Sequence, residues 1–187
     1  MKVISGILKG RNIIGYNIEG TRPTMDRVKE SIFSMIQDRV KESIVLDLFS
    51  GSGNYGIEAI SNGANLVYFN DKNKECVKII KRNLENFNVI NKSIILNLDY
   101  IKCLDYFDKK NIKFDLVFLD PPYKLDCINN ILKYLIKNKL LNVNGYVIVE
   151  LTNNNLEDKY ENLIKIKEKH YGEKIVFIYK YMEEIWN

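Results

Sequence analysis

From Ile44 onward, short apolar runs alternate with segments whose apolar positions recur every three or four residues. The runs Ile44–Phe49, Leu66–Asn70, Ser93–Asn97, Phe114–Leu119 and Gly145–Leu151 predict strands, each bounded by polar or turn-forming residues. Between them Gly56–Ser61, Lys74–Asn86, Tyr100–Asp108 and Leu125–Lys139 predict helices. Near-continuous apolar strands separated by helices imply a parallel sheet buried on both faces. The pattern changes at the end. Leu163–Glu168 and Lys174–Tyr181 face each other across His170–Gly172, a hairpin that makes one strand antiparallel to the others. A second hairpin is expected at the start, where Val3–Leu8 and Asn12–Tyr16 flank Lys9-Gly10-Arg11. After it, Thr24 can cap a helix carrying Asp26 in its first turn. The stripe of Val28, Ile32, Met35 and Ile36 is core packing for that helix.

A length of 187 residues fits one α/β domain with a short attachment, and 46% hydrophobic with 28% charged residues is ordinary for a globular chain. No apolar run approaches the ~20 residues of a transmembrane helix, and Met1–Gly10 lacks the apolar stretch of a secretory signal. A soluble, cytoplasmic, monomeric enzyme is the expectation. Cys76, Cys103 and Cys127 are too far apart for a zinc motif and too few for a disulfide framework, so each reads as a small apolar filler. A lone His170 builds neither a metal site nor a catalytic triad, and no metal is expected. Charge adds one asymmetry. Residues 1–41 hold 8 Lys/Arg against 4 Asp/Glu, a surplus equal to the whole chain's net +4. A basic arm on a neutral body suits a nucleic-acid partner, although a solvated lysine-rich surface has the same composition.

In an open parallel sheet the ligand binds beyond the carboxyl ends of the strands. Those ends carry Asp47 with Gly51-Ser52-Gly53, then Asp71, Asp99 and Asp120-Pro121-Pro122-Tyr123. Gly51-Ser52-Gly53-Asn54-Tyr55-Gly56, with Asp71 about 20 residues on, formally matches a dinucleotide fingerprint, so an NAD-dependent oxidoreductase stays open. Electrostatics favours a different ligand: several carboxylates repel a pyrophosphate but suit the sulfonium and ammonium of S-adenosylmethionine. The two prolines after Asp120 stiffen a loop without N–H donors. The Asp120 carboxylate and the Pro121 carbonyl can then accept both N–H groups of an exocyclic amine. Tyr123 offers a stacking face for a base, worth about 1–3 kcal/mol at comparable sites.

These residues resemble the RsmD-type 16S rRNA guanine-N2 methyltransferase family over nearly the whole chain. Lys9-Gly10-Arg11 looks like its K-G-R element, and Thr21–Phe33 is similar to its T-R-P-T-x-D-R-V-[KR]-E-x-[IL]-F signature. Leu46–Gly53 resembles its cofactor motif, continued by Gly56-Ile57-Glu58-Ala59. The resemblance implies a seven-stranded Rossmann-like fold, with residues 1–40 as a basic RNA-binding extension and 41–187 as the catalytic domain. It implies Asp47, Phe49, Gly51, Ser52, Gly53, Asp71, Lys72 and Asp99 around S-adenosylmethionine, and Asp120, Pro121, Pro122 and Tyr123 at the amine. Lys9, Arg11, Arg22 and Arg27 become candidates for contacts to 16S rRNA within the small ribosomal subunit; Arg22 reads also as a brace for Asp26. Asp71 and Asn73 depart from the acids more usual in the family at those positions. The amine motif alone does not separate guanine from adenine, so an amino-methyltransferase of adenine remains open, as does a catalytically silent RNA-binding assembly factor. Glu150, at the end of a strand, can reach the site or cap the sheet edge, the structural reading being preferred, and His170 and Trp186 read as residues packing or decorating the terminal hairpin.

Overall fold

The structure, a computed structural model, describes residues 1–15, 22–122, 127–152 and 156–183, and for residues 22–25 the backbone alone. Its centre is an eight-stranded sheet in the order β3-β2-β1-β4-β5-β8-β7-β6. The strands are β1 (Ile44–Asp47), β2 (Leu66–Asn70), β3 (Ser93–Leu96), β4 (Phe114–Leu119), β5 (Leu141–Leu151), β6 (Lys159–Tyr160), β7 (Leu163–Tyr171) and β8 (Lys174–Tyr181). The first five run parallel, while β8 enters antiparallel between β5 and β7. Seven of these strands match the apolar runs. The eighth, β6, is a two-residue strand beside β7, too short to leave an alternating pattern.

The central strands β1 and β4 are buried along almost their whole length, as strands covered on both faces must be. The helices α1 (Arg22–Met35), α2 (Gln37–Val40), α3 (Asn54–Ser61), α4 (Lys74–Asn86), α5 (Tyr100–Lys110) and α6 (Ile128–Lys137) supply the cover. They divide the apolar side chains into two clusters. One gathers Val28, Ile32, Ile57, Ile60 and Phe118, and the other Leu46, Phe107, Leu132, Val147 and Phe177. The three cysteines are buried. Among the described residues no helix is long and apolar enough to cross a membrane.

The N-terminal segment departs from expectation. Instead of a hairpin of two strands, it forms a 3-10 turn at Gly6–Leu8 and a single antiparallel bridge between Lys2 and Asn12. The chain still reverses, through Val3 N–H to Arg11 O at 3.0 Å and Gly10 N–H to Val3 O at 2.8 Å. Its apolar residues point inward rather than pairing: Val3, Leu8 and Ile13 join the same cluster as Val28 and Phe118. Helix α1 begins at Arg22, so Thr24 lies inside it and Asp26 in its second turn. Pro23 then occupies the first turn, where a missing N–H costs nothing. Val28, Ile32 and Ile36 are buried core residues, with Met35 packed beside them. Tyr16, Tyr123, Leu125 and Trp186 lie outside the described residues.

The arm is tied to the body by a buried ion pair. Lys29 Nζ and Glu58 Oε2 sit 2.9 Å apart with both side chains at 0% exposure. Lys29 also donates to Lys2 O at 2.6 Å and Asn54 Oδ1 at 2.7 Å. Glu58 accepts from the Ile4 N–H at 2.9 Å and the Ser5 N–H at 2.8 Å. Both charges therefore have several polar partners, the condition for burying them without prohibitive cost.

Candidate active site

The strand order reverses between β1 and β4, and a ligand crevice is expected at such a switch point. Asp47 is the last residue of β1, almost fully buried, and its Oδ2 accepts the Gly56 N–H at 3.0 Å. The loop after it turns through two glycines in the left-handed region, Gly51 at φ 55° and Gly53 at φ 84°. Gly53 is also the residue at which α3 starts. A Cβ at Gly51 would meet no atom within 4 Å, so the backbone there borders open space. Gly56 serves a different end: a Cβ would lie 2.2 Å from the Phe69 ring, which requires glycine where α3 crosses β2.

Asp71, just past β2, grips this loop: its Oδ2 accepts the Gly51 N–H at 2.9 Å and its Oδ1 the Asn73 N–H at 2.9 Å. Beneath the loop, Ser50 Oγ donates to Asp47 O at 2.6 Å, and the Asn70 amide bonds Leu48 O and Leu98 O at 3.1 Å each. Ser52 is buried, and its carbonyl accepts from Asn83 Nδ2 at 3.0 Å. The same Asn83 exchanges two bonds with Ile14, so one amide joins arm, glycine loop and α4. Asp99 caps α5 by accepting the Ile101 N–H at 3.0 Å and is exposed. Phe49 is half-buried against Tyr100, with ring centroids 5.9 Å apart, and Lys72 is exposed.

Asp120 follows β4, beside Pro121, which is buried, and Pro122, which is exposed. Its surroundings hold what the strand-end residues alone did not reveal. Glu150 is buried near the end of β5 rather than decorating the sheet edge. The Tyr55 hydroxyl donates to one Glu150 oxygen and the Lys174 ammonium to the other. Tyr55 is held flat by Phe118, 5.2 Å between centroids at 8°, and Phe118 in turn stacks on Phe33 at 5.6 Å. Two of the acids, Asp120 and Asp47, hold their protons more tightly than free carboxyls do. Removal from water pushes the Asp120 carboxyl up to about 8, with Glu150 adding to the rise, Lys174 opposing it and Asp47 adding again. Burial takes Asp47 up to about 7, opposed by the Gly56 N–H and reinforced by Asp71. Tyr55 is raised by burial and by Glu150, Asp120 and Asp47 together. At this sheet edge Asp47, Asp71, Asp120 and Glu150 outnumber the one ammonium, Lys174.

Asp47, Gly51, Ser52, Gly53 and Asp71 thus form one bonded unit, with Asp120 in the electrostatic field of Asp47. The candidate RNA contacts are not gathered in the same way. Arg11 lies over the Phe87 ring at 4.4 Å and donates to Asn86 O at 2.5 Å, which places it on the carbonyl end of α4. Lys9 and Arg27 are exposed, and the side chain of Arg22 lies outside the described residues. Tyr55 and Lys174 carried weak signals: Tyr55 is a variable position in a glycine motif, and Lys174 is 54 residues from Asp120 in sequence.

The family described as Conserved hypothetical protein 95 matches residues 1–180. YlbH of Bacillus subtilis is 34% identical over 181 residues, covering 96% of this chain and 98% of the relative. The Haemophilus influenzae protein named Ribosomal RNA small subunit methyltransferase D is 35% identical over 179 residues, covering 92% of this chain and 89% of its own. Among solved structures, yhhF of Escherichia coli is 23% identical and superposes with a TM-score of 0.85 over 98% of this chain and 99% of that one, a likeness of fold.

Proposed function

The chain belongs to the Conserved hypothetical protein 95 family, which is the RsmD family, and from that premise we propose that it methylates the exocyclic 2-amino group of a guanine in 16S rRNA. The donor in this reading is S-adenosylmethionine. The observation that carries it is the meeting of Asp47, Asp120 and Glu150, all withdrawn from water, beside a glycine turn open at Gly51. Such an edge holds more acids than its one ammonium, Lys174, balances and accepts a cationic donor, whereas a dinucleotide would bring further negative charge.

Asp47 would hold the donor's ammonium, Asp71 its ribose hydroxyls, and Asp99 with Phe49 and Lys72 would flank its adenine side. When bound, the donor supplies a methyl group activated by the sulfonium. The chain's own part is positioning. The Asp120 carboxylate accepts one N–H of the amine and the Pro121 carbonyl the other, which fixes the nitrogen for in-line attack. Tyr123 gives the base a stacking face. As the new C–N bond forms, the nitrogen becomes positive and one of its protons must leave. Asp120, with its carboxyl near 8, takes that proton directly or through a water molecule. The base must be splayed from a loop or flipped from its stack to reach this depth. Residues 1–40 serve as the RNA-binding extension of a catalytic body, 41–187, acting as a monomer in the cytoplasm on the small ribosomal subunit.

The test is transfer of labelled methyl from S-adenosylmethionine to small ribosomal subunits from cells lacking the enzyme, followed by nucleoside analysis. Label in 2-methylguanosine is the expected result. Label in a methyladenosine would keep the chemistry and overturn the base. No label on subunits, naked RNA or DNA would overturn the reading.

A further inference from the structure

The floor of the amine site contains a feature that donor and base recognition leave unused, the chain Tyr55–Glu150–Lys174. Its parts come from three elements. Glu150 lies on β5 opposite Val176 of β8. Lys174 is two residues before Val176, so it stands diagonally across the strand pair from Glu150, within reach of a long side chain. Lys174 is 19% exposed and Glu150 6%, so their ion pair is largely sheltered from solvent. Tyr55 reaches the other Glu150 oxygen from α3.

We propose that Lys174 is a positioning residue for methyl transfer: its ammonium, docked on Glu150, draws Asp120 toward the ionised form that accepts the substrate amine. The inference rests on the amine site proposed above. Leu119 pairs with Val149 across β4 and β5, which sets Asp120 beside Glu150 at the strand ends, and Asp47 of β1, Tyr55 of α3 and Lys174 of β8 act on it electrostatically. Two of these are acids that drive a proton onto Asp120, and Lys174 opposes them. A protonated Asp120 would present a hydroxyl to an amine that needs an acceptor. It would also have no capacity for the proton released on methylation. Glu150 has the converse role. Fixed by Tyr55 and Lys174, it anchors the ammonium beside the site while its own charge raises Asp120, so the pair tunes that carboxyl from both sides.

The test uses the full-length protein with aspartate labelled by carbon-13 at the side-chain carboxyl, Asp120 being identified by its loss in Asp120→Asn. Titration is followed in the wild type, Lys174→Met, Lys174→Arg and Glu150→Gln. The Asp120 midpoint is expected to rise by about one pH unit or more in Lys174→Met, stay in place in Lys174→Arg, and fall in Glu150→Gln. Lys174→Gln is a second neutral variant should the methionine protein fail to fold. In the transfer assay the acid limb of the kcat profile should move with the midpoint, alkaline for Lys174→Met and acid for Glu150→Gln. A purely structural lysine would alter thermal stability and leave both midpoint and limb unmoved. Midpoints within a few tenths of a pH unit of wild type in the folded neutral lysine variants overturn the proposal. A wild-type protein that moves no methyl, while Asp120 titrates as expected, defeats the assigned reaction and leaves Lys174's control of Asp120 standing.

Discussion

Replacing Glu58 by Gln tests whether the N-terminal arm is held by the buried ion pair. The substitution keeps the shape and one oxygen acceptor for the Ile4 and Ser5 N–H groups. It removes the carboxylate paired with Lys29, whose ammonium then remains at 0% exposure bonded to two neutral oxygens, Lys2 O and Asn54 Oδ1, with Asp26 as its remaining opposite charge. Burial already lowers the Lys29 pKa against the pull of Glu58, so losing that carboxylate leaves desolvation unopposed by its largest partner. Breaking one side of a buried pair costs about 3–5 kcal/mol, a large part of the roughly 5–15 kcal/mol that holds a domain together. Urea unfolding of Glu58→Gln, Lys29→Met and the double variant gives the number. The double variant should be less damaged than the sum of the singles by about 1–3 kcal/mol, because it leaves neither charge stranded. Limited proteolysis within residues 1–15 should accelerate in the singles. A Glu58→Gln protein within about 1 kcal/mol of wild type, or additive singles, would refute the reasoning.

Asp120→Ala should lower turnover by about 10²–10⁴-fold while donor binding by equilibrium dialysis stays near wild type; equal loss of both would remove Asp120 from the amine site. Without donor, stability should decline from pH 5 to pH 8. Asp47 near 7 and Asp120 near 8 hold protons in the folded state that the unfolded chain gives up near 4, so their contribution is present at low pH and lost as pH rises through the folded values. Thermal melts across that range, repeated with Asp47→Asn to flatten part of the slope, check it. Arg11→Ala should cost about 1 kcal/mol through the carbonyl end of α4 and the Phe87 ring, read by denaturant midpoint. Gly56→Ala should cost about 1–3 kcal/mol or more, since its Cβ and the Phe69 ring cannot both keep their places.

The parallel half of the sheet was legible because β1, β2 and β4 bury both faces and leave unbroken apolar runs. The glycine loop and its acids were legible for a related reason: a chain passing from a strand to a helix beside a ligand needs Gly51 and Gly53 at positive φ. The N-terminal arm misled because Val3, Leu8 and Ile13 suggest strand residues but are buried as single anchors against α1 and α3. Arg11, a phosphate-contact candidate in sequence, stands on the carbonyl end of α4, a placement set by tertiary packing that no local pattern announces. The Tyr55–Glu150–Lys174 chain had no sequence signature. It exists only because antiparallel β8 places its first residue diagonally opposite Glu150, a register that no local pattern encodes.

That register also sets a clock. β8 is the last of the described strands yet lies inside the sheet, between β5 and β7. During synthesis, β1 to β5 can pair in turn and the Gly51 loop can close while β5 still presents an unpaired apolar edge, the kind of edge that invites aggregation. Only when residues 174–181 slot in is that edge covered and Glu150 given its ammonium. In the proposed reading, the donor residues around the Gly51 loop and the amine residues beside Glu150 therefore take shape at different times.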